Sequence, residues 1–302
     1  MVISRLWGGL GNQLFQYAYA YSIARENKCD LKLDARFFEK DYILKNRHFV
    51  PQKFNILELP LVYNAIITKK ERLKIVTIFQ NRYINLLIRI PSRFFFRIKK
   101  DYKYLKETRY FYDNKNIYIR YKNIYIDGYW QCEEYFKKYR DELIQQYVVR
   151  NEKINNCILE NCIDSNESIA IHIRRGDYIN NKNPFSNLYL LNENYYFNAI
   201  SAIEKRVKRP CYYIFTNDYE WVTEKFKNIK NCIIVNKDRK LSDIEEFQVM
   251  SLCKHQIISN STFSWWAAWL NQNNKKIVIA PNRWFGNRNI IPNSWEKCNI
   301  KG

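Results

Sequence analysis

The chain has 302 residues but only three histidines, seven glycines and seven prolines, and its eight cysteines form no Cys-x-x-Cys pair. That inventory argues against the common zinc frameworks, so no metal site is expected. Cys211, Cys232 and Cys253 sit in apolar runs, which reads as reduced core thiols in a reducing compartment. No run of about 18 uncharged apolar residues occurs, and no membrane-spanning helix is expected. The N-terminus, MVISRLWGGLGNQ, is no signal peptide, because Arg5 interrupts the apolar run and glycines follow at once. Asp-x-Asp is absent, Asp218-Tyr219-Glu220 being the nearest approach, so the clustered carboxylates of a magnesium-dependent nucleotide enzyme are missing. A glycine loop ending in Gly-Lys-Ser/Thr is absent too.

Acidic residues are the other shortage. Thirty of them face 50 lysines and arginines, a net charge of +20. Residues 1–150 carry +14 and residues 151–302 carry +6, and the stretch 66–110 alone carries +10. Apolar residues make up 47% of the chain and aromatics 17%, enough for a sizeable core in one or two domains. A basic amphipathic helix is expected over 67–90 (ITKKERLKIVTIFQNRYINLLIRI), suited to an anionic membrane surface or to nothing more than a solvated lysine-rich face.

The order of elements is informative. A strand over 1–6, a glycine turn at Gly8, Gly9 and Gly11, a helix over 12–27 and a strand ending at Asp34 open a Rossmann-like half. The turn is not Gly-x-Gly-x-x-Gly, since Leu14 takes the third glycine's place, and no dinucleotide follows from it. A strand is expected at 123–128 and one helix over 129–147. After a polar stretch at 150–167, strands at 169–173, 212–215, 232–235, 256–259 and 276–280 alternate with helices at 192–206, 243–253 and 263–270. That alternation predicts a parallel sheet. The expected fold class is α/β, two facing Rossmann-like domains, residues 1–152 with a basic helical insertion about 66–110, and residues 153–302.

Three loops at the carboxyl ends of predicted strands carry the candidate chemistry. SIAIHIRRGDY (168–178) runs a buried strand into Arg174 and Arg175, and arginine suits bidentate phosphate contact. Neighbouring arginines usually point different ways, so one can face a ligand while the other holds the loop, for which Asp177 is available. An Arg-Asp pair can equally just pin a turn. Thr216-Asn217-Asp218 ends the next strand. Asn260, Ser261 and Thr262, with Ser264 beyond, open a helix whose N–H groups suit phosphate, though ordinary N-capping explains them equally when taken alone. Glu246 lies on a neighbouring helix. A carboxylate there can accept from N1 and N2 of guanine, and by spacing alone a solvent-facing glutamate is the plainer reading.

GGLGNQLFQYAYA (8–20), HIRRGDY (172–178) and SLCKHQIISNSTFSWWAAWL (251–270) resemble, in order, the bacterial α-1,2-fucosyltransferases of glycosyltransferase family 11. GYWQCEEYF (128–136) and FTND (215–218) are similar to the same family. The resemblance implies a metal-independent, two-Rossmann (GT-B) enzyme with no cofactor. Such an enzyme transfers L-fucose, with inversion, from GDP-β-L-fucose to O2 of a terminal galactose. It implies that Arg174 binds the β-phosphate, with His172 and Arg175 in the same motif and Asp218 in FTND. Ser261 and Thr262 line the diphosphate pocket, beside Asn260 and Ser264. Glu246 matches a usually aspartate position that reads guanine. Gly9, Gly11, Asn12 and Gln13 fall in the motif facing donor and acceptor, Asn12 among the catalytic candidates. Asp177 is the one motif carboxylate nominated as base, or it orients Arg175. A galactose-terminated or lipid-linked glycan is the implied acceptor, and a cytoplasmic enzyme peripheral on the inner membrane is expected. Two other readings stand beside it: another linkage (α-1,3 or α-1,6), and a non-enzymatic basic protein binding RNA or membrane. The strand-end motifs speak for the enzyme and against a nucleic-acid partner.

Overall fold

Val2–Arg5 (β1) is four residues of mostly apolar strand, and it lies at the middle of a parallel sheet. Leu31–Asp34 (β2) flanks it on one side and Ile124–Asp127 (β6) on the other, with Lys103–Lys106 (β5) outside β6. The computed structural model describes residues 1–39, 53–78, 96–98, 101–107, 113, 119–148, 167–176, 179, 190–238, 241–284 and 290–299. They form two units by contact: 1–57 with 61–130 and 134–140, and 58–60 with 131–133 and 141–302. The expected break at 152/153 lies outside the described residues.

In the first unit, Gly8 turns the chain at φ +79°, in the left-handed region that favours glycine. A Cβ there would lie 2.7 Å from Asn12 Nδ2. Gly9 then caps Leu10–Glu26 (α1). This helix is buried almost all round, from Leu10 to Ala24 with only Asn12 half-buried, and its polar Gln13, Gln16 and Ser22 are hydrogen-bonded inside. Tyr19 of α1 stacks on Trp130 at 4.2 Å and meets Tyr135 at 5.0 Å.

Two expectations within residues 1–147 are corrected. The basic helix expected over 67–90 ends early: Lys69–Ile75 (α2) gives way to Val76–Ile78 (β3), paired antiparallel with Phe96–Ile98 (β4). Val76, Thr77 and Ile78 are β-branched, and that run favours a strand. Residues 103–106 are not insertion at all but β5 of the main sheet. The single helix expected over 129–147 is also broken. Two 3₁₀ turns, Glu133–Tyr135 and Lys137–Tyr139, precede Arg140–Tyr147 (α3). Trp130 lies in the left-handed region at φ +56°, which no α-helix adopts, and the Tyr135 carbonyl accepts from Ser22 Oγ of α1 at 2.9 Å.

The second unit holds a six-stranded parallel sheet. Its elements are Ser168–Ile173 (β7), Glu193–Glu204 (α4), Cys211–Thr216 (β8), Tyr219–Lys225 (α5), Cys232–Ile234 (β9), Asp243–Leu252 (α6), His255–Ile257 (β10), Thr262–Leu270 (α7), Val278–Pro281 (β11) and Glu296–Cys298 (β12). The order is β12-β11-β10-β7-β8-β9. The chain steps outward one way from β7 and then the other way from β10, which is the dinucleotide-fold order with its switch point between those two strands. The expected strands and helices are present to within a few residues, and α5 and β12 are additional. Ile169, Ile171, Ile173, Ile214 and Ile257 bury the sheet against α4, whose Tyr195 and Tyr196 are fully buried.

Candidate active site

Ligands of open α/β sheets bind outside the carboxyl ends of the strands, at the switch point. Here the loops leaving β7 and β10 meet there. Ile257 of β10 lies opposite Ile171 of β7, which brings Ser259 level with the end of β7. His172, buried, sits 2.7 Å through Nδ1 from Ser259 Oγ, and so ties the two strand ends together. Tyr195 of α4 donates its hydroxyl to the Ile258 carbonyl at 2.6 Å and braces the same exit from behind.

Arg174 and Arg175 divide sharply. Arg174 Nη1 reaches Ser261 Oγ at 3.3 Å. Ser261 is the N-cap of α7, its hydroxyl accepting from Phe263 N. No acidic residue lies in the first turn of α7, so the helix end keeps its partial positive charge beside a guanidinium. Arg175 is spent on structure: Nε pairs with Asp218 at 3.3 Å, Nη1 donates to the Leu191 carbonyl at 3.1 Å, and the guanidinium lies 4.0 Å over the Trp221 ring. Asn217 shapes the turn, its Oδ1 accepting from Arg175 N and Gly176 N. A Cβ on Gly176 would lie 3.0 Å from the Asn217 carbonyl.

The remaining candidates fall around this point. Asp218 caps α5 through Trp221 N at 3.2 Å while paired with Arg175. Asn260 is buried at the turn, and Thr262 opens α7 half-exposed. Ser264 is buried and returns its hydroxyl to the Ser261 carbonyl at 3.1 Å, holding the turn. Glu246 on α6 is half-buried and accepts from Asn236 Nδ2 at 2.8 Å. Burial pushes its carboxyl above the ordinary range; the Asn236 bond opposes this and Asp243 adds to it. Asp177 lies outside the described residues.

The glycine turn belongs to the first unit. Gln13, fully buried, uses its whole amide internally: Nε2 donates to the Gly8 and Lys53 carbonyls at 2.9 and 2.8 Å, and Oε1 accepts from Ile56 N at 3.2 Å. Asn12 N donates to the Gly9 carbonyl at 3.0 Å, and Gly11 is buried in the first turn of α1. Residue-level reading passed over Ser259, Asn217, Tyr195 and Asn236. Asn217 stood within a motif already singled out, whereas Tyr195 and Asn236 carried no local signal. Among the described residues no group of three or more His, Cys, Asp or Glu side chains could hold a metal ion.

A parallel switch-point sheet with an arginine beside a helix N-terminus can hold an anion, and the fold is α/β of the GT-B type. The chain belongs to glycosyltransferase family 11, whose model matches residues 1–291. It is 34% identical to the O-antigen biosynthesis glycosyltransferase WbnK of Escherichia coli, over 97% of this chain and 98% of that protein. It is 31% identical to an α-1,2-colitosyltransferase of Escherichia coli, over 99% of this chain and 96% of that one. The structure of NodZ α-1,6-fucosyltransferase co-crystallised with GDP superposes with a TM-score of 0.50 at 16% identity, covering 88% of this chain and 91% of that one, a likeness of fold.

Proposed function

We propose that this glycosyltransferase transfers L-fucose from GDP-β-L-fucose to O2 of a terminal β-galactoside, with inversion. The observation that supports it best is Arg174 against Ser261 at the N-terminus of α7, on the switch point of the second unit's sheet. As the glycosidic bond to the diphosphate breaks, negative charge grows on the leaving GDP. A fixed guanidinium and a helix end lower the energy of that charge most in the transition state. With charge supplied this way the reaction is proposed to need no metal. The acceptor hydroxyl loses its proton late, so a modest base is enough, and Asp177 is the proposed one. The three exposed lysines of α2, Lys69, Lys70 and Lys74, are proposed to bring the enzyme to an anionic membrane surface where lipid-linked glycans are built.

The relative that moves colitosyl groups supports a second donor, since colitose is fucose without its 3-hydroxyl. The decisive experiment offers GDP-fucose and GDP-colitose, with EDTA present, to a panel of β1,3- and β1,4-galactosides and reads the product linkage by NMR. An α-1,2 product is expected from GDP-fucose. A product only from GDP-colitose, another linkage, or activity abolished by EDTA would each refute the corresponding part.

A further inference from the structure

Three acidic residues open α6, and they are treated differently. Glu245 closes the capping box, its Oε2 accepting from Ser242 N at 2.8 Å. Asp243 is exposed. Glu246 is half-buried outside the capping box, and the side chain of Asn236 holds it. Asn236 follows β9 in the left-handed region, at φ +57°, where asparagine is among the few residues tolerated. Its backbone carbonyl accepts from Tyr219 Oη at 2.8 Å. Its side-chain oxygen accepts from Leu241 N at 2.8 Å, and its Nδ2 donates to the Leu241 carbonyl at 3.1 Å. The same Nδ2 donates to Glu246 Oε2 at 2.8 Å. Glu246 Oε1 has no hydrogen bond among the described residues.

We propose that Asn236 is the positioning residue for donor-base recognition, holding Glu246 by one oxygen so that its carboxylate faces the N1–H and 2-amino group of guanine. This rests on the reading of GDP-fucose as donor. A carboxylate drawn out of water is stable as an anion only if hydrogen-bonded, and the Asn236 N–H supplies a bond without competing for the second oxygen. The anchor is rigid because three further bonds fix Asn236 itself, two across the loop to Leu241 and one from α5. A guanine edge offers the two parallel donors that the carboxylate lacks. Hypoxanthine offers one of them, and adenine and uracil do not match.

The test is the ratio of GDP to IDP affinity, measured by calorimetry on the full chain, since IDP lacks only the 2-amino group. The parent protein is expected to prefer GDP by about 10- to 100-fold, the value of one hydrogen bond to a charged group. Asn236→Asp tolerates the backbone and keeps the acceptor for Leu241 N, but places a carboxylate against Glu246. It is expected to cut the ratio about tenfold with an unchanged melting temperature. Asn236→Gly also keeps the backbone and removes the whole side chain, and Glu246→Gln removes the charge without touching the loop. Both are expected to lower the ratio likewise. Parent-like ratios in Asn236→Asp and Asn236→Gly would overturn the inference, as would a parent protein that binds GDP and IDP equally. A parent that binds neither would instead refute the donor reading on which the inference rests.

Discussion

Arg174 and Arg175 are adjacent and chemically identical, yet they meet different surroundings. Arg175 is held by Asp218, by the Leu191 carbonyl and by the face of Trp221, so its charge is consumed in building the loop. Arg174 has the N-cap hydroxyl of α7 as its neighbour, and the proposed role is to hold the donor's diphosphate there. Two different phenotypes follow. Arg174→Ala is expected to keep the parent's melting temperature and lose about 10²–10³ in kcat, the scale of removing one transition-state donor. Arg175→Ala is expected to lose stability, by about 1–3 kcal/mol for a cation–π contact and two charged hydrogen bonds, together with any activity lost as the loop loosens. Thermal melts run beside steady-state kinetics separate the two. Equal melting losses would show that both arginines are structural.

At the scale of elements, the carboxyl ends of β1 and β6 are joined by an ion pair, and that of β2 reaches β6 through a tyrosine hydroxyl. Asp34 at the end of β2 is fully buried, with Arg36 at 2.5 Å, the Tyr125 hydroxyl at 2.6 Å and Arg72 of α2 at 3.3 Å. Burial pushes its carboxyl up, but the charge and bonds of Arg36, the Tyr125 hydroxyl and the charge of Arg72 outweigh it and leave it below the ordinary range. Arg5 of β1 pairs with Asp127 of β6 at 3.0 Å, and Tyr104 of β5 joins it at 2.9 Å. Asp34→Asn removes the buried carboxylate that Arg36 and Arg72 share, with Arg72 keeping Glu39 at 2.6 Å, and is expected to cost about 3–5 kcal/mol in denaturant unfolding. The pH dependence has a definite sign. The folded carboxyl titrates below its unfolded value of about 3.9, so its contribution is complete above that value and is lost as pH falls through the folded one. The parent should therefore lose stability between about pH 4 and lower pH more steeply than Asp34→Asn. Parallel slopes would remove Asp34 as the source.

The whole molecule carries 50 basic and 30 acidic side chains, a net charge of +20, and several of the basic ones are held in ion pairs. Arg5, Lys32, Arg36, Arg72 and Lys138 each meet a carboxylate. On α2, Lys69, Lys70 and Lys74 remain exposed beside an exposed Leu73, which is the face that would meet an anionic surface. Changing those three lysines to glutamine is expected to weaken binding to phosphatidylserine vesicles by about 1 kcal/mol per lysine, with soluble-acceptor turnover unchanged. Vesicle binding that ignores the triple change would sink the membrane proposal. Much of the second unit was legible in the sequence, because its strands are continuous apolar runs with polar loops at their ends. The first unit was less so. Its central helix is buried all round and lacks a polar face, and the basic stretch concealed a β-branched run and a strand of the main sheet. The amino-acid order alone determined the alternation, the class and the two loops that bear Arg174 and Ser261, since local periodicity and motif spacing need no partner. The division of labour between Arg174 and Arg175, and the hold of Asn236 on Glu246, were decided only by tertiary structure. Those roles depend on which groups arrive from other strands and helices, across 43 residues for Arg175 and Asp218, and no local pattern records that arrival.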